Sequence, residues 1–463
     1  MNGVGSLSGP GLVALVLTLA FAALAVARPR RAVPAYAVLG AAPPALQLGA
    51  FSGRSITQGL LRAEILATLL VGVWLVNRDT RHRLLRQPFD LPLVLMAVSA
   101  GLSLVATELM PDPGVVGQVT LAVSVGQLLL ILWPIGVYLA SRELITSTTQ
   151  IVWLQRLTIG LALPQLVMPF VGDAARDFMA WVWTFGLFAS PLALAASFTT
   201  RSWPAKLGLL TLTVVPLVRG ITSGKVFLYG FVIASVVTIL WARATRVAVA
   251  LGVVLLAGLL AATVVVGPSA LLEPVAALVD VERRQASFEG DAGRGQLILD
   301  ALSIWQEAPV LGVGPGNSYV YMLQRSPIGT PHNQYMNILV EFGLVGLVIW
   351  IWCLVATFVT GLRLYRRLTH PAHRTFALGW LGAFVGMAAG GVTGDYMLHS
   401  IRNGGLELFQ GYYLQWVLLG ALVAAGDLEG RAALPEPVRR PARRWAGRPR
   451  FRSAAGRALS AQA

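Results

Sequence analysis

Five histidines are spread over 463 residues, and one of them stands where an imidazole could act on a bound molecule. His332 follows Thr330-Pro331 and precedes Asn333 at the head of a long apolar block. Such an imidazole can accept a proton near neutral pH. The same position also suits a polar residue at a helix start, with Asn333 as its cap, and residue type alone leaves the two readings open. His82, His370 and His373 fall in basic loops where solvation is expected, and His399 lies in a late turn. Three cations are as informative. Arg219 and Lys225 flank a tight turn between apolar blocks, and Arg294 opens a helical stretch. A cation at the edge of an apolar layer is costly, and commonly lines a cavity or meets an anionic partner. A guanidinium can hold two phosphate oxygens at once, so Arg219, Lys225 and Arg294 are expected to share an anionic ligand. Arg325 and Arg402 suit snorkelling to lipid phosphates instead. Between Arg294 and His332 runs Leu311-Gly312-Val313-Gly314-Pro315-Gly316-Asn317, a turn whose glycines give the backbone unusual freedom.

These residues must be positioned by an apolar scaffold. Hydrophobic residues make up 56% of the chain and charged ones 12%, about half the charged share of a soluble protein; the mean hydropathy is +0.69. The apolar residues come in blocks long enough to cross a hydrocarbon layer of about 30 Å as helix. The sequence predicts an all-α, polytopic transmembrane bundle of about 12–13 spans, near 11–27, 33–50, 59–76, 91–106, 115–140, 151–171, 178–199, 205–219, 224–241, 246–267, 336–360, 375–397 and 406–425. Four regions follow: spans over 1–267, a large loop over 268–335, further spans over 336–425, and an Arg-rich tail over 426–463 that is expected to be disordered and drawn to anionic lipid. Cys353, the sole cysteine, lies in an apolar block, which excludes a disulfide within the chain.

Charge orients the bundle. Alternate loops carry Arg28/Arg30/Arg31, Arg78/Arg81/Arg83/Arg86, Arg201/Lys206, Arg243/Arg246 and Arg363/Arg366/Arg367/Arg374, and the basic tail falls on the same side. Positive loops stay in the cytoplasm, so the large loop faces outward together with Arg176, Arg219, Lys225, Arg294, Arg325 and Arg402. The first span lacks basic residues before its apolar region and is expected to stay as a span rather than be removed as a signal peptide. A sequence pI near 10.9 would fit nucleic acid by number alone, but the arginines sit in short interspan loops and the tail, as a membrane protein places them and a nucleic-acid face does not. Within the outward loop, residues 293–307 are expected to form a helix with Leu297, Ile298, Ala301, Leu302 and Trp305 on one face, lying along the membrane or over a cavity. Asp173, Asp177, Asp291 and Asp395 are scattered in sequence and form no evident cluster for a metal, although folding could still bring some of them together.

The run from His332-Asn333 through Glu341-Phe342-Gly343-Leu344-Val345-Gly346 resembles the signature of the O-antigen ligase and O-antigen polymerase family: His, then Asn, Ser or Gln, nine residues, and Gly-x-x-Gly. Arg294, the following helix and the Gly312–Asn317 turn are similar to the same family's loop, so the likeness covers about 293–347. The chain departs from it in three respects, the first being one span more before the loop than the usual twelve-span ligase plan has. Leu347 stands where ligases often have Thr, and Ser223-Gly224-Lys225 stands where many members have Ser-Arg, so the family arginine's role falls to Arg219 or Lys225. The resemblance implies a GT-C-like, metal-independent glycosyltransferase of the bacterial inner membrane that needs no cofactor. Its donor would be a glycan on undecaprenyl diphosphate; its acceptor would be lipid A core, a lipid-linked repeat or another glycan, reached at the outer face. It further implies that His332 takes the acceptor's proton, that Arg219, Lys225 and Arg294 bind the diphosphate, and that Gly312, Gly314, Gly316, Asn317 and Asn333 shape the acceptor side. Tyr319, Tyr321 and Tyr335 could stack on sugars. The bundle would also suit a secondary transporter or a lipid-linked oligosaccharide flippase, which needs buried cations, although no internal repeat is visible. A non-catalytic scaffold would have no use for the outward cations.

Overall fold

A computed structural model of the chain describes residues 9–41, 63–77, 85–109, 121–163, 183–223, 225–243, 291–326, 328–398 and 408–432. His82, Asp173, Arg176, Asp177, His399, Arg402 and most of the tail lie outside these. All regular secondary structure among the described residues is helical: α1 (Gly9–Ala27), α2 (Pro29–Leu39), α3 (Ala63–Asn77), α4 (Asp90–Leu109), α5 (Leu121–Leu144), α6 (Thr148–Gly160), α7 (Trp183–Thr199), α8 (Trp203–Ser223), α9 (Lys225–Ala242), α10 (Asp291–Glu307), α11 (Ser318–Leu323), α12 (Gln334–Arg367), α13 (Pro371–Gly390) and α14 (Leu408–Ala432). Of these, α4, α5 and α12 are long and apolar enough to cross a membrane; Leu15–Ala27, α3, Phe188–Thr199 and Val232–Ala242 are shorter apolar helices. This is the helical membrane protein that hydropathy predicts. The remaining spans of the predicted twelve or thirteen fall partly outside the described residues.

Two groups of helices build the core. In one, α5 lies along α14, with α3 beside it; in the other, α7, α9 and α13 pack together, and α12 joins α4. Small residues bring the axes close, as expected where lipid supplies no hydrophobic drive between helices. A Cβ on Gly379 would run into the Leu192 backbone, and one on Gly420 into Ser141 and the Arg142 amide. On the outside, Val26, Leu102, Val348 and Val355 are exposed, a lipid-facing pattern.

α4 connects the two ends of the bundle. At its start Asp90 Oδ2 accepts from the Arg86 and Gln87 amides, both at 2.8 Å, and fixes the loop that enters the helix. The same carboxylate receives Tyr138 Oη at 2.6 Å and Arg142 Nη1 at 2.8 Å from the last turns of α5. Arg142 and Asp90 are both buried, and a buried ion pair of this kind depends on the further hydrogen bonds that Tyr138 and the loop amides supply to the carboxylate. At the far end of α4, Ser103 Oγ donates 2.8 Å to the Glu341 carbonyl of α12.

One expectation is corrected at the Asp90 end. His373 is buried rather than solvated. Its Nδ1 lies 2.9 Å from Glu429 Oε1, and Glu429 also accepts from Thr369 and His370. The basic loop before α13 is thereby fastened to the end of α14.

Candidate functional site

The apolar block after His332 reads as one helix, but α12 is broken. Gly343 sits at φ 66, ψ −167 inside it. In an unbroken helix the amides of Leu344 and Val345 would bond the carbonyls of Val340 and Glu341. Here those four groups are orphaned, and a buried orphan of this kind needs a partner. The glycine-rich turn supplies all four. Val313 N donates to Val340 O at 2.9 Å and Gly314 N to Glu341 O at 3.1 Å, while Leu344 N donates to Pro309 O at 2.9 Å and Val345 N to Val310 O at 3.3 Å. Residues 309–314 are therefore spliced into the gap in α12.

Glycine is required on both sides of this splice. Gly312, Gly314 and Gly316 have φ of 74, 99 and 72, a region costly to residues with a Cβ. A Cβ on Gly343 would overlap the Val310 carbonyl, and one on Gly312 the Val340 carbonyl. Asn317 Nδ2 closes the turn on Val313 O at 2.8 Å. The splice is buried under Ser318, whose Oγ donates 2.7 Å to Glu341 Oε1, and under Thr107 of α4, which lies against Gly314.

The loop has a small core of its own, in which Leu297, Ala301 and Ile304 of α10 meet Val313, Val320, Tyr321, Met322 and Val340. The buried stripe of α10 is thus Leu297–Ala301–Ile304, rotated from the predicted face: Ile298, Leu302 and Trp305 lie at its margins. Trp305 Nε1 instead donates to Pro309 O at 3.0 Å, where the helix turns into the splice. Arg325 pairs with Glu307 across this loop, which corrects its expected contact with lipid. Tyr321 is buried in the loop core and Tyr335 Oη donates to Ala388 O at 2.5 Å, so both rings are held by packing rather than offered to a sugar.

His332 stands one residue before the cap of α12. Asn333 Oδ1 accepts from Tyr335 N at 3.0 Å and Met336 N at 3.1 Å, so the cap is Asn333 and not His332. His332 is exposed, with φ 48, one of two non-glycine residues at positive φ among the described residues. Its amide donates to Thr330 Oγ1 at 3.2 Å. Histidine is among the side chains that tolerate this region best, and residues held there cluster at functional sites. The first turn of α12 also organises the turn after α13. Gln334 Oε1 collects the amides of Tyr396, Met397 and Leu398 at 3.1, 2.8 and 3.4 Å, and Asn337 Nδ2 donates to both Asp395 oxygens at 2.8 and 3.0 Å.

Of the predicted site residues, the structure gathers Gly312, Gly314, Gly316 and Asn317 in the turn docked on the α12 break, while His332 and Asn333 stand at the start of the same helix, about 15 Å along it from Gly343. Arg294 falls in the first turn of α10, which packs on α12. Arg219 lies in the last turns of α8, and Lys225 opens α9 one residue after α8 ends; the side chains of all three cations lie outside the described residues. Ser103, Ser318, Gln334, Asn337 and Glu341 are supporting residues that sequence reasoning missed. Two signals pointed to them: a glycine inside a helical run, which signals a packing constraint, and Glu341 as an acid inside an apolar block. No cluster of three or more His, Cys, Asp or Glu side chains is gathered among the described residues as metal ligands would be.

Residues 207–351 match the family model described as O-antigen ligase. The matched segment contains Arg219, Lys225, Arg294, the glycine turn, His332 and both glycines of the α12 break. No curated protein matches the chain.

Proposed function

We propose, from the match of residues 207–351 to the family model described as O-antigen ligase, that the chain is a membrane glycosyltransferase of polysaccharide assembly that moves a glycan from undecaprenyl diphosphate to an acceptor sugar hydroxyl at the outer face of the bacterial inner membrane. His332 takes the proton of the acceptor hydroxyl as that oxygen attacks the anomeric carbon with inversion. The bond from the anomeric carbon to the diphosphate breaks, and undecaprenyl diphosphate leaves with the electron pair. Negative charge grows on the leaving group in the transition state. Fixed cations aimed at that charge lower the barrier without a metal, a role assigned to Arg294 with Arg219 and Lys225. The splice, with Gly312, Gly314, Gly316 and Asn317, forms the acceptor side, and lipid-facing grooves hold the polyprenyl chain.

The observation that carries this reading is the presentation of His332. The Asn333 cap at the start of α12 leaves an exposed imidazole on left-handed backbone, and the glycine turn is docked on the break further along the same helix. The position of the break also weighs against a transporter, whose interrupted helices lie near midplane. After Gly343, residues 344–367 run about 36 Å as helix, a length that could cross the bilayer alone, which supports a break at the membrane surface rather than at midplane.

The test is a transfer assay in membranes with a lipid-linked glycan donor. His332→Ala and Arg294→Ala are expected to reach the membrane at normal levels and to lose transfer, and transfer by the parent is expected to persist with chelator. Wild-type transfer by both variants would remove the site assignment. A requirement for a divalent metal would remove the cation clamp. The glycan ladder of a deletion strain separates the two family activities: loss of all glycan beyond the core indicates a ligase, and a single capped repeat a polymerase.

A further inference from the structure

A cavity lined largely by arginines lies at the other end of the bundle. It has a volume of about 610 Å³ and is lined by Arg28, Arg30, Arg31, Arg86, Arg142 and Arg431. Asp90, beside it, and Thr107, at the glycine turn, are separated by most of α4, roughly 25 Å along the helix. The cavity is therefore remote from His332.

The six arginines come from four separate places in the chain: the start of α2, the loop before α4, the last turn of α5 and the last turn of α14. Such convergence is unfavourable without anions. The carboxylates lining the cavity are Glu143 and Asp427, and both are engaged. Glu143 Oε2 accepts from Trp74 Nε1 at 2.7 Å and its Oε1 lies 3.6 Å from Arg142, while Asp427 lies 3.7 Å from Arg86. Arg142 is further held by Asp90. Arg28, Arg30 and Arg31 are exposed around the opening, so positive charge is in excess among the lining residues. Guanidinium groups converging on one space suit phosphate oxygens, each able to hold two.

The surroundings say where that phosphate comes from. The helices leading to the cavity end in exposed apolar side chains: Val26 in α1, and Leu75 and Val76 in α3, the last 86% exposed. α1 and α3 pack side by side. A phosphate seated among the arginines would thus stand directly above an apolar surface suited to acyl chains. The end concerned is the one the charge rule assigns to the cytoplasm, where basic clusters meet anionic lipid. We propose that this cavity is a binding site for the phosphate headgroup of an anionic phospholipid, with its acyl chains laid along α1 and α3.

Native mass spectrometry of the full-length protein in detergent, titrated with palmitoyl-oleoyl-phosphatidylglycerol or with phosphatidylcholine of the same chains, tests this without reference to transfer. Phosphatidylglycerol is expected to bind at low stoichiometry and phosphatidylcholine not. The triple substitution Arg28→Gln, Arg30→Gln, Arg31→Gln is expected to weaken binding about a hundredfold, and Arg431→Glu alone about thirtyfold, taking roughly 1 kcal/mol per unit charge. Arg363→Gln, Arg366→Gln, Arg367→Gln removes equal charge outside the cavity and is expected to leave binding unchanged. The proposal is overturned if this control loses as much as the cavity variant, since the attraction is then diffuse. It is overturned too if the Arg28/Arg30/Arg31 and Arg431 variants bind as the parent does, or if inorganic pyrophosphate displaces the lipid at equal concentration, which would make the ligand a soluble phosphate.

Discussion

At the scale of single residues, the account separates what His332 does from what Asn333 does. Asn333 satisfies two amides of α12, and Asn333→Ala is expected to cost about 1 kcal/mol of stability, read as a lower melting temperature with transfer reduced rather than lost. His332 takes no part in that cap. Because its φ is 48, His332→Gly keeps the backbone free of strain while removing the imidazole. This variant is expected to be at least as stable as His332→Ala and to lose about 10²–10⁴-fold in transfer, the usual contribution of a positioned general base. Arg294→Lys is expected to recover only part of the activity that Arg294→Ala loses, because an ammonium keeps the charge but not the two-pronged grip. Initial rates at saturating donor measure both effects.

At the scale of elements, the splice of residues 309–314 into α12 carries the site. Gly343→Ala would place a Cβ against the Val310 carbonyl at positive φ. It is expected to cost well over 1 kcal/mol and to undock the loop, seen as rapid proteolysis near the glycine turn and loss of transfer with His332 intact. Much of this was legible in the sequence. The glycines of the turn and the Gly343-x-x-Gly346 spacing were visible as motifs, and hydropathy gave a helical membrane protein. Their joint meaning was not legible, because the partner of each orphaned amide lies some thirty residues away and an apolar block has the same composition whether its helix is whole or broken. The stripe of α10 was misplaced for a related reason: Ile304 is buried by contacts within the loop core, which periodicity over one helix cannot weigh. His373 was misread because its partner, Glu429, comes from the last helix.

At the scale of the whole molecule, the two ends of the bundle have different work. One end presents His332. The other is tied together by charge, and its response to acid is predictable. Burial lowers His373 below its ordinary value of 6.5, with His370 adding to the effect and Glu429 opposing it. Burial raises Glu429, but hydrogen bonds from Thr369, His373 and His370 outweigh this and hold it below its ordinary 4.5. Both groups therefore favour the fold in their deprotonated states, and both contributions are present at neutral pH and lost as pH falls, His373 first, from about its ordinary value downward. The melting temperature is expected to be lower at pH 5.5 than at pH 7.5, with a smaller difference in His373→Gln. The central claim, however, concerns the end that presents His332: we propose that the imidazole at the start of α12 takes part in glycosyl transfer. It is tested most directly by comparing transfer from an undecaprenyl-diphosphate-linked glycan by the parent and by His332→Gly, at matched protein levels in the same membranes. The account predicts transfer by the parent and a loss of at least a hundredfold in the variant; transfer by His332→Gly at the parent's rate would contradict it.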